Sequence, residues 1–347
     1  VDKKIGVVID GSNMLVYWRN MEMARKIDAV FEGGGVKGSA LVGAIAATEE
    51  LGYQFENIAG TSAGAIVGAL LAAGYSSREI KALMDGIDFN NFKDPTGFSK
   101  FPLGGIGMSL LFKKGIYKGD YLEKWLEQLL AQKNVRTFKD LVIAQYAQDP
   151  QYRYKLQVIA SDISDGKLLV LPRDSKNYGI DPDNLKVAFA VRMSMSIPYF
   201  FVPIIEKNNG KKSYIVDGAV LSNFPVWLLD DNTSNPPWPT IGYKLVDPKE
   251  EKPHKIFGPI TLFLALFETM MEAHDARYIE DKNFARTVPI PTNGVQTTDF
   301  HINLETKNML YSSGYEAAKK FFTTWNFEEY KKKYRQNKGE TRTERIW

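Results

Sequence analysis

The sequence has no cysteine, which excludes disulfides, thiolate metal sites and cysteine nucleophiles together. Histidine is nearly as scarce: His254, His274 and His301 are the only three. None stands in an HExxH or other close-spaced ligand pair, so a dedicated metal site is not expected; the chemistry read below calls for no cofactor. An excess of one charge sign is also missing. A net charge of +3 over 347 residues leaves no electrostatic footprint for nucleic acid. The longest apolar stretch runs from Ile256 to Met271 and is broken by Gly258, Pro259 and Glu268. It falls short of the roughly 18 residues of a membrane span. The apolar run Ile5 to Ile9, behind Lys3 and Lys4, is too short for the core of a signal peptide. A cytoplasmic protein is the expectation, with peripheral contact at a membrane left open.

What is present is an ordinary globular composition. Hydrophobic residues make up 44% and charged residues 24%, enough for a sizeable core. No internal repeat and no clean linker interrupts the chain, so one main domain is expected. Residues 1–26 read as an appended element: a strand Ile5 to Ile9, a polar turn Asp10 to Asn13, and a helical stretch Met14 to Lys26. The strand and its Asp-Gly-Ser-Asn turn also match the opening of small metal-dependent nuclease domains, but so short a segment has no room for one. Residues 27–250 read as the catalytic domain. Residues 251–347 read as a C-terminal helical extension packed on it, with a solvated, mixed-charge tail from Glu328 to Arg345.

The α/β pattern begins at Ile27. Ile27 to Phe31 reads as a strand, Gly33 to Gly38 as a glycine loop, and Ser39 to Leu51 as a helix stopped by Gly52. Phe55 to Ala59 is a second strand, Gly60 to Gly64 a turn, and Ala65 to Ala73 a second helix closed by Gly74. Strand, helix, strand and helix with short joints predict parallel strands joined by crossovers. Further strands are expected at Lys155–Ala160, Leu168–Leu171, Tyr214–Val216 and Thr240–Leu245. Tyr121 to Ala131 reads as an amphipathic helix. Phe89 to Tyr117, rich in Gly, Phe and Lys, reads as a loop or cap over a site.

Three motifs carry chemistry. Gly60-Thr61-Ser62-Ala63-Gly64 is a GxSxG pentapeptide between a strand and a helix. A nucleophile on such a sharp turn needs small neighbours, which Gly60, Ala63 and Gly64 supply. The helix behind it favours negative charge developing at the serine. A plain serine N-cap among packing glycines is the alternative. Gly33-Gly34-Gly35-Val36-Lys37-Gly38 fits GxGxxG, and two readings compete. A dinucleotide loop would cradle a pyrophosphate; an oxyanion hole would aim the same N–H groups at a tetrahedral intermediate. The first wants an acidic residue at the tip of the second strand. That tip instead carries Gly60, Thr61 and Ser62, which favours the second. Ser62 needs a base. Asp217, followed by Gly218 and Ala219 at the end of the run Tyr214 to Val216, is placed to reach it, unless it is only a turn aspartate. Lys37 either attracts a phosphate headgroup or covers a helix start; one exposed lysine contributes little, which favours the second.

In this order, GGGVKG at 33–38, GTSAG at 60–64 and DGA at 217–219 resemble the patatin-like phospholipase family. Ser194 to Phe201 and Leu221 to Val226 resemble the blocks that flank the family's aspartate. The resemblance covers about Ile27 to Val246. It implies a three-layer α/β/α fold with a mostly parallel central sheet. It implies a serine–aspartate dyad without histidine, with Ser62 and Asp217 as its members and Gly33, Gly34 and Gly35 as oxyanion donors. The implied substrate is a phospholipid or another acyl ester. A Ser-Asp-His triad with one of the three histidines remains a rival. So do a catalytically idle lipid binder and a nucleotide-binding protein. Within Ile256 to Met271, apolar residues nearly encircle any helix, so that segment is either buried or touches lipid.

Overall fold

Ile27, Ala29, Val30 and Phe31 are wholly buried. A strand apolar at consecutive positions needs cover on both faces, as in the middle of an α/β sheet. In the computed structural model, described for residues 25–336 apart from 99–103, 209, 231–232, 248–255, 278–280, 298 and 300, this strand is central. β1 (Arg25–Phe31) lies between β2 (Tyr53–Thr61) and β9 (Thr240–Val246), parallel to both. β10 (Thr287–Pro291) continues the parallel half beyond β9. On the other side β4 (Leu156–Asp162) runs parallel to β2. Beyond β4 the sheet turns antiparallel, through β5 (Lys167–Leu171), β8 (Lys211–Asp217) and β7 (Ile204–Asn208). Short β3 (Gly115–Tyr117) and β6 (Tyr199–Phe201) pair apart from the main sheet. The mixed, mostly parallel sheet flanked by helices agrees with the expected fold class.

The helices follow their sequence signals closely. α1 (Gly38–Glu50) ends where Gly52 takes a left-handed turn, and α2 (Ala63–Ala72) ends before Gly74 does the same. Gly suits that position because it has no Cβ to clash. Every residue of α2 is buried. α3 (Ser77–Gly86) starts with a capping box between Ser76 and Glu79. α4 (Gly105–Lys113), α5 (Asp120–Gln132), α6 (Val187–Ser194), α7 (Pro259–Arg277) and α8 (Leu304–Thr324) follow. α8 lies directly on α1. A Cβ on Gly43 would stand 1.9 Å from the Tyr311 carbonyl, and one on Gly314 would stand 1.8 Å from that of Ala40. Two glycines thus let the helix backbones touch.

Several local expectations change. Arg25 and Lys26 are not helical: they pair with Tyr53 and Gln54 as the first residues of β1. The expected strand and turn at 5–13 lie outside the described residues, as does most of the Met14–Lys26 helix. The loop expected over Phe89 to Tyr117 holds α4 and β3. α4 escaped the sequence reading because Gly104, Gly105 and Gly107 crowd its start, and glycine is a poor helix former. α7 is neither wholly buried nor wholly exposed: Phe267 and Met271 are buried, while Leu262 and Leu266 are exposed. Among the described residues no helix is long and apolar enough to cross a membrane.

Candidate active site

β4 has three partners but only two edges. β5 covers one edge from Val158 to Asp162. β2 and β8 therefore share the other, meeting carboxyl end to carboxyl end. Thr61 stands opposite Ile159, and Asp217 opposite the next residue, Ala160. Both chains must leave the sheet at that point. Ser62 turns into α2, and Gly218 opens a short 3-10 turn. Asp217 thus reaches the serine from the opposite direction, not from a neighbouring parallel strand.

Ser62 Oγ donates to Asp217 Oδ2 at 2.7 Å. Ser62 has φ 53° and ψ −122°, a conformation that costs an L-residue about 1–3 kcal/mol and persists only when neighbours enforce it. The enforcement is visible. The Ser62 N–H donates to Ser194 Oγ at 2.8 Å. A Cβ on Gly60 would lie 2.5 Å from the Gly64 carbonyl, and one on Gly64 would lie 2.3 Å from that of Phe31. Met195 Sδ lies 3.2 Å from Ser62 Oγ. The N-terminus of α2 stands directly behind the hydroxyl.

Asp217 is fully buried. Its Oδ1 accepts the Ala219 N–H at 2.9 Å, and its own N–H donates to the Ser196 carbonyl at 2.9 Å. Loss of solvent raises its pKa to about 7, although the bonds from Ala219 and Ser62 pull the other way. Gly218 has no room for a side chain: a Cβ there would lie 2.4 Å from the Ile159 carbonyl.

The glycine loop lies beside the pair. A Cβ on Gly33 would be 3.1 Å from Ser62 Cβ. The Gly33 N–H donates to the Asn223 carbonyl at 3.3 Å, and the Val36 N–H to the Thr297 carbonyl at 3.2 Å. Gly34 and Gly35 lie between these two anchors. Gly35 has φ 54°, and a Cβ on it would strike the Thr297 carbonyl at 2.1 Å. Lys37 is half-buried at the start of α1, its N–H donating to the Gly34 carbonyl at 3.1 Å. Gly38 is buried, and a Cβ there would make only ordinary contact with Met84 at 3.4 Å. Beneath the loop, buried Glu32 accepts from Lys244 Nζ at 3.1 Å, from Asn223 Nδ2 at 3.3 Å and from the Leu245 N–H. Asn223 Oδ1 is buried without a hydrogen-bond partner among the described residues.

Sequence reasoning named Ser62, Asp217 and the glycines but gave no role to Ser194, Met195, Asn223, Glu32 or Thr297. Ser194, Met195 and Asn223 did stand in the flanking blocks. Nothing local marked Glu32 or Thr297. Of the histidines, His301 is exposed and lies 3.4 Å from Lys93 Nζ. His274 falls in α7, and His254 lies outside the described residues. No group of acidic and histidine side chains fit to hold a metal occurs among the described residues.

The family model for patatin-like phospholipases matches residues 29–230, and the chain belongs to that family. It is 43% identical to the uncharacterized protein YqhO of Bacillus subtilis (strain 168) over 303 residues, 87% of this chain and 99% of that one. It is 25% identical to the cGAMP-activated phospholipase of Escherichia coli (strain TW11681) over 210 residues, 56% of this chain and 52% of that one. The crystal structure of VipD from Legionella pneumophila aligns with TM-score 0.51 at 18% identity, covering 87% of this chain and 67% of that one. That last likeness is one of fold.

Proposed function

We propose that this chain is a lipid acyl hydrolase, of phospholipase A type, working through a Ser62–Asp217 dyad and an acyl-enzyme. The observation that carries the reading is the 2.7 Å bond from Ser62 Oγ to a fully buried Asp217. Asp217 takes the hydroxyl proton as Oγ adds to the ester carbonyl. The Gly34 and Gly35 N–H groups and the start of α2 stabilise the oxyanion. Gly33 serves differently, by tying the loop to Asn223. On collapse, Asp217 returns the proton to the departing alcohol and leaves the acyl group on Oγ. Water then attacks the acyl carbonyl with Asp217 again as base; as the bond to Oγ breaks, Asp217 returns the proton to Ser62 Oγ and the fatty acid leaves. A carboxyl held near neutrality suits this exchange, because a base works best with a pKa close to the working pH. The phospholipase activity named for the Escherichia coli relative supports the lipid substrate class.

The test is covalent labelling with a fluorophosphonate, wild type beside Ser62→Ala, with fatty-acid release from phospholipid vesicles followed in parallel. Labelling of the wild type alone, with release abolished in the variant, is expected. An unlabelled and inactive wild type would overturn the proposal. Labelling with turnover of soluble esters only would make the chain a carboxylesterase.

A further inference from the structure

Helix α4 has its apolar face outside. Its buried residues are Gly105 and Ser109. Its outer face carries Ile106, Met108, Leu111 and Phe112, with Leu111 76% and Phe112 67% exposed. Ser109 fixes this orientation. Wholly buried, it bonds Thr96 Oγ1 at 2.6 Å and donates to the Gly115 carbonyl at 2.5 Å. Single exposed apolar side chains are ordinary, but a helix that turns four of them outward marks a contact surface.

The face adjoins the site. Gly115, just past α4, pairs with Tyr199. Tyr199 is half-exposed and follows four residues after Met195, whose sulfur touches Ser62. The Tyr199 ring meets Phe263 of α7 edge-on at 4.7 Å. On α7, Leu262 and Leu266 are exposed as well. Tyr199 therefore stands between two helices with apolar outer residues. Lys113 and Lys114 end α4, both exposed. An apolar face with lysines at its margin matches a bilayer with anionic headgroups, which accepts the side chains below and the charges at its surface. A second copy related by a twofold axis would set the same patch, lysines included, against itself.

We propose that the outer face of α4, with Tyr199 and the outer residues of α7, docks the protein on an anionic lipid surface and presents Ser62 to the acyl esters there. This deepens the proposed lipid hydrolysis and rests on it for the choice of partner. The docking test is made independent of turnover by measuring binding in a Ser62→Ala background. Cosedimentation would use phosphatidylcholine vesicles with and without phosphatidylglycerol. Leu111→Ser with Phe112→Ser is expected to lower binding about tenfold or more, since two buried apolar side chains are lost from the interface. Lys113→Glu with Lys114→Glu should remove the preference for phosphatidylglycerol and its salt sensitivity. With Ser62 restored, the Leu111/Phe112 variant should lose vesicle hydrolysis and keep soluble-ester turnover and melting temperature. Vesicle binding unchanged in that variant would overturn the proposal, as would a wild type that binds neither vesicle. So would a wild-type dimer that this variant dissociates, which would assign the face to a second copy. Loss of binding in an enzyme that hydrolyses no ester would leave docking standing and remove the hydrolase reading.

Discussion

Thr61 and Asp217 face consecutive residues of one strand, Ile159 and Ala160, because β2 and β8 end against each other along one edge of β4. The residue after Thr61 is Ser62, so the serine and the carboxylate meet where two strands stop. Hydrogen bonds of the sheet, rather than mobile loops, set the distance between them. Sites on such elements are held more closely than sites on loops.

The proposed dyad makes a kinetic prediction. Ser62→Ala and Asp217→Asn should each lower kcat by about three orders of magnitude or more, and the double variant should be no worse than either, since members of one catalytic unit are not additive. His301→Ala should keep its activity. Steady-state rates on a chromogenic ester would check all four, and an inactive His301→Ala would restore the triad.

The pH dependence follows from Asp217. In the proposed role of base its carboxylate must be charged, and burial raises its pKa to about 7. The kcat/KM profile should therefore rise with pH through about 7 and level off above it. Stability runs the other way. The folded state binds this proton more tightly than the unfolded chain, whose value is near 3.9. The penalty is absent below about pH 3.9 and complete above about pH 7, so stability falls as pH rises across that window. Asp217→Asn removes the penalty. Its melting temperature relative to wild type should increase from pH 5 to pH 8.

The glycine loop has one position where the backbone and a distant segment both forbid a side chain. Gly35 has positive φ and faces the Thr297 carbonyl. Gly35→Ala should lower kcat about 100-fold or more, the scale of one lost oxyanion donor. Gly34→Pro, which removes an N–H outright, should abolish turnover. Near-normal rates in both would move the oxyanion site elsewhere.

Ser194 tests how the elbow is held. Ser194→Ala leaves the Ser62 N–H buried without its acceptor, which costs about 1–3 kcal/mol. Both the melting temperature and kcat should drop, with KM on a soluble ester little changed. A variant with normal stability and rate would show that the strained turn needs no such support.

Gly314 tests the joint between α8 and α1. A side chain there must push apart two touching backbones, and overpacking of this kind costs about 1–3 kcal/mol or more. Gly314→Leu should unfold at lower denaturant than wild type in a single transition that includes the catalytic domain. Separate unfolding of a C-terminal part would show that α8 is not integral to the core.

Some of this was written locally. The buried run Ile27 to Phe31, the helices closed by Gly52 and Gly74, and GTSAG between strand and helix each express a rule confined to a few neighbouring residues: cover on two faces, a left-handed stop, room around a sharp turn. Such rules act within a turn or a strand, so sequence alone determined these elements and picked out Ser62 and Asp217 as candidates. Tertiary structure decided how they meet. Nothing around Asp217 announced that β8 runs antiparallel and ends against β2, because strand direction depends on where the returning chain finds an open edge. Nothing around Thr297 announced that its carbonyl would hold the Val36 N–H, since 260 residues of chain separate the two. α4 is the clearest case. Its sequence, GIGMSLLFK, stood in a stretch that read as a loop or cap, and the pinning of Ser109 to Thr96 and Gly115 accompanies a helix with its leucine and phenylalanine outside. Hydrophobicity specifies that apolar groups avoid water, while the shape of the surrounding fold determines what they meet instead.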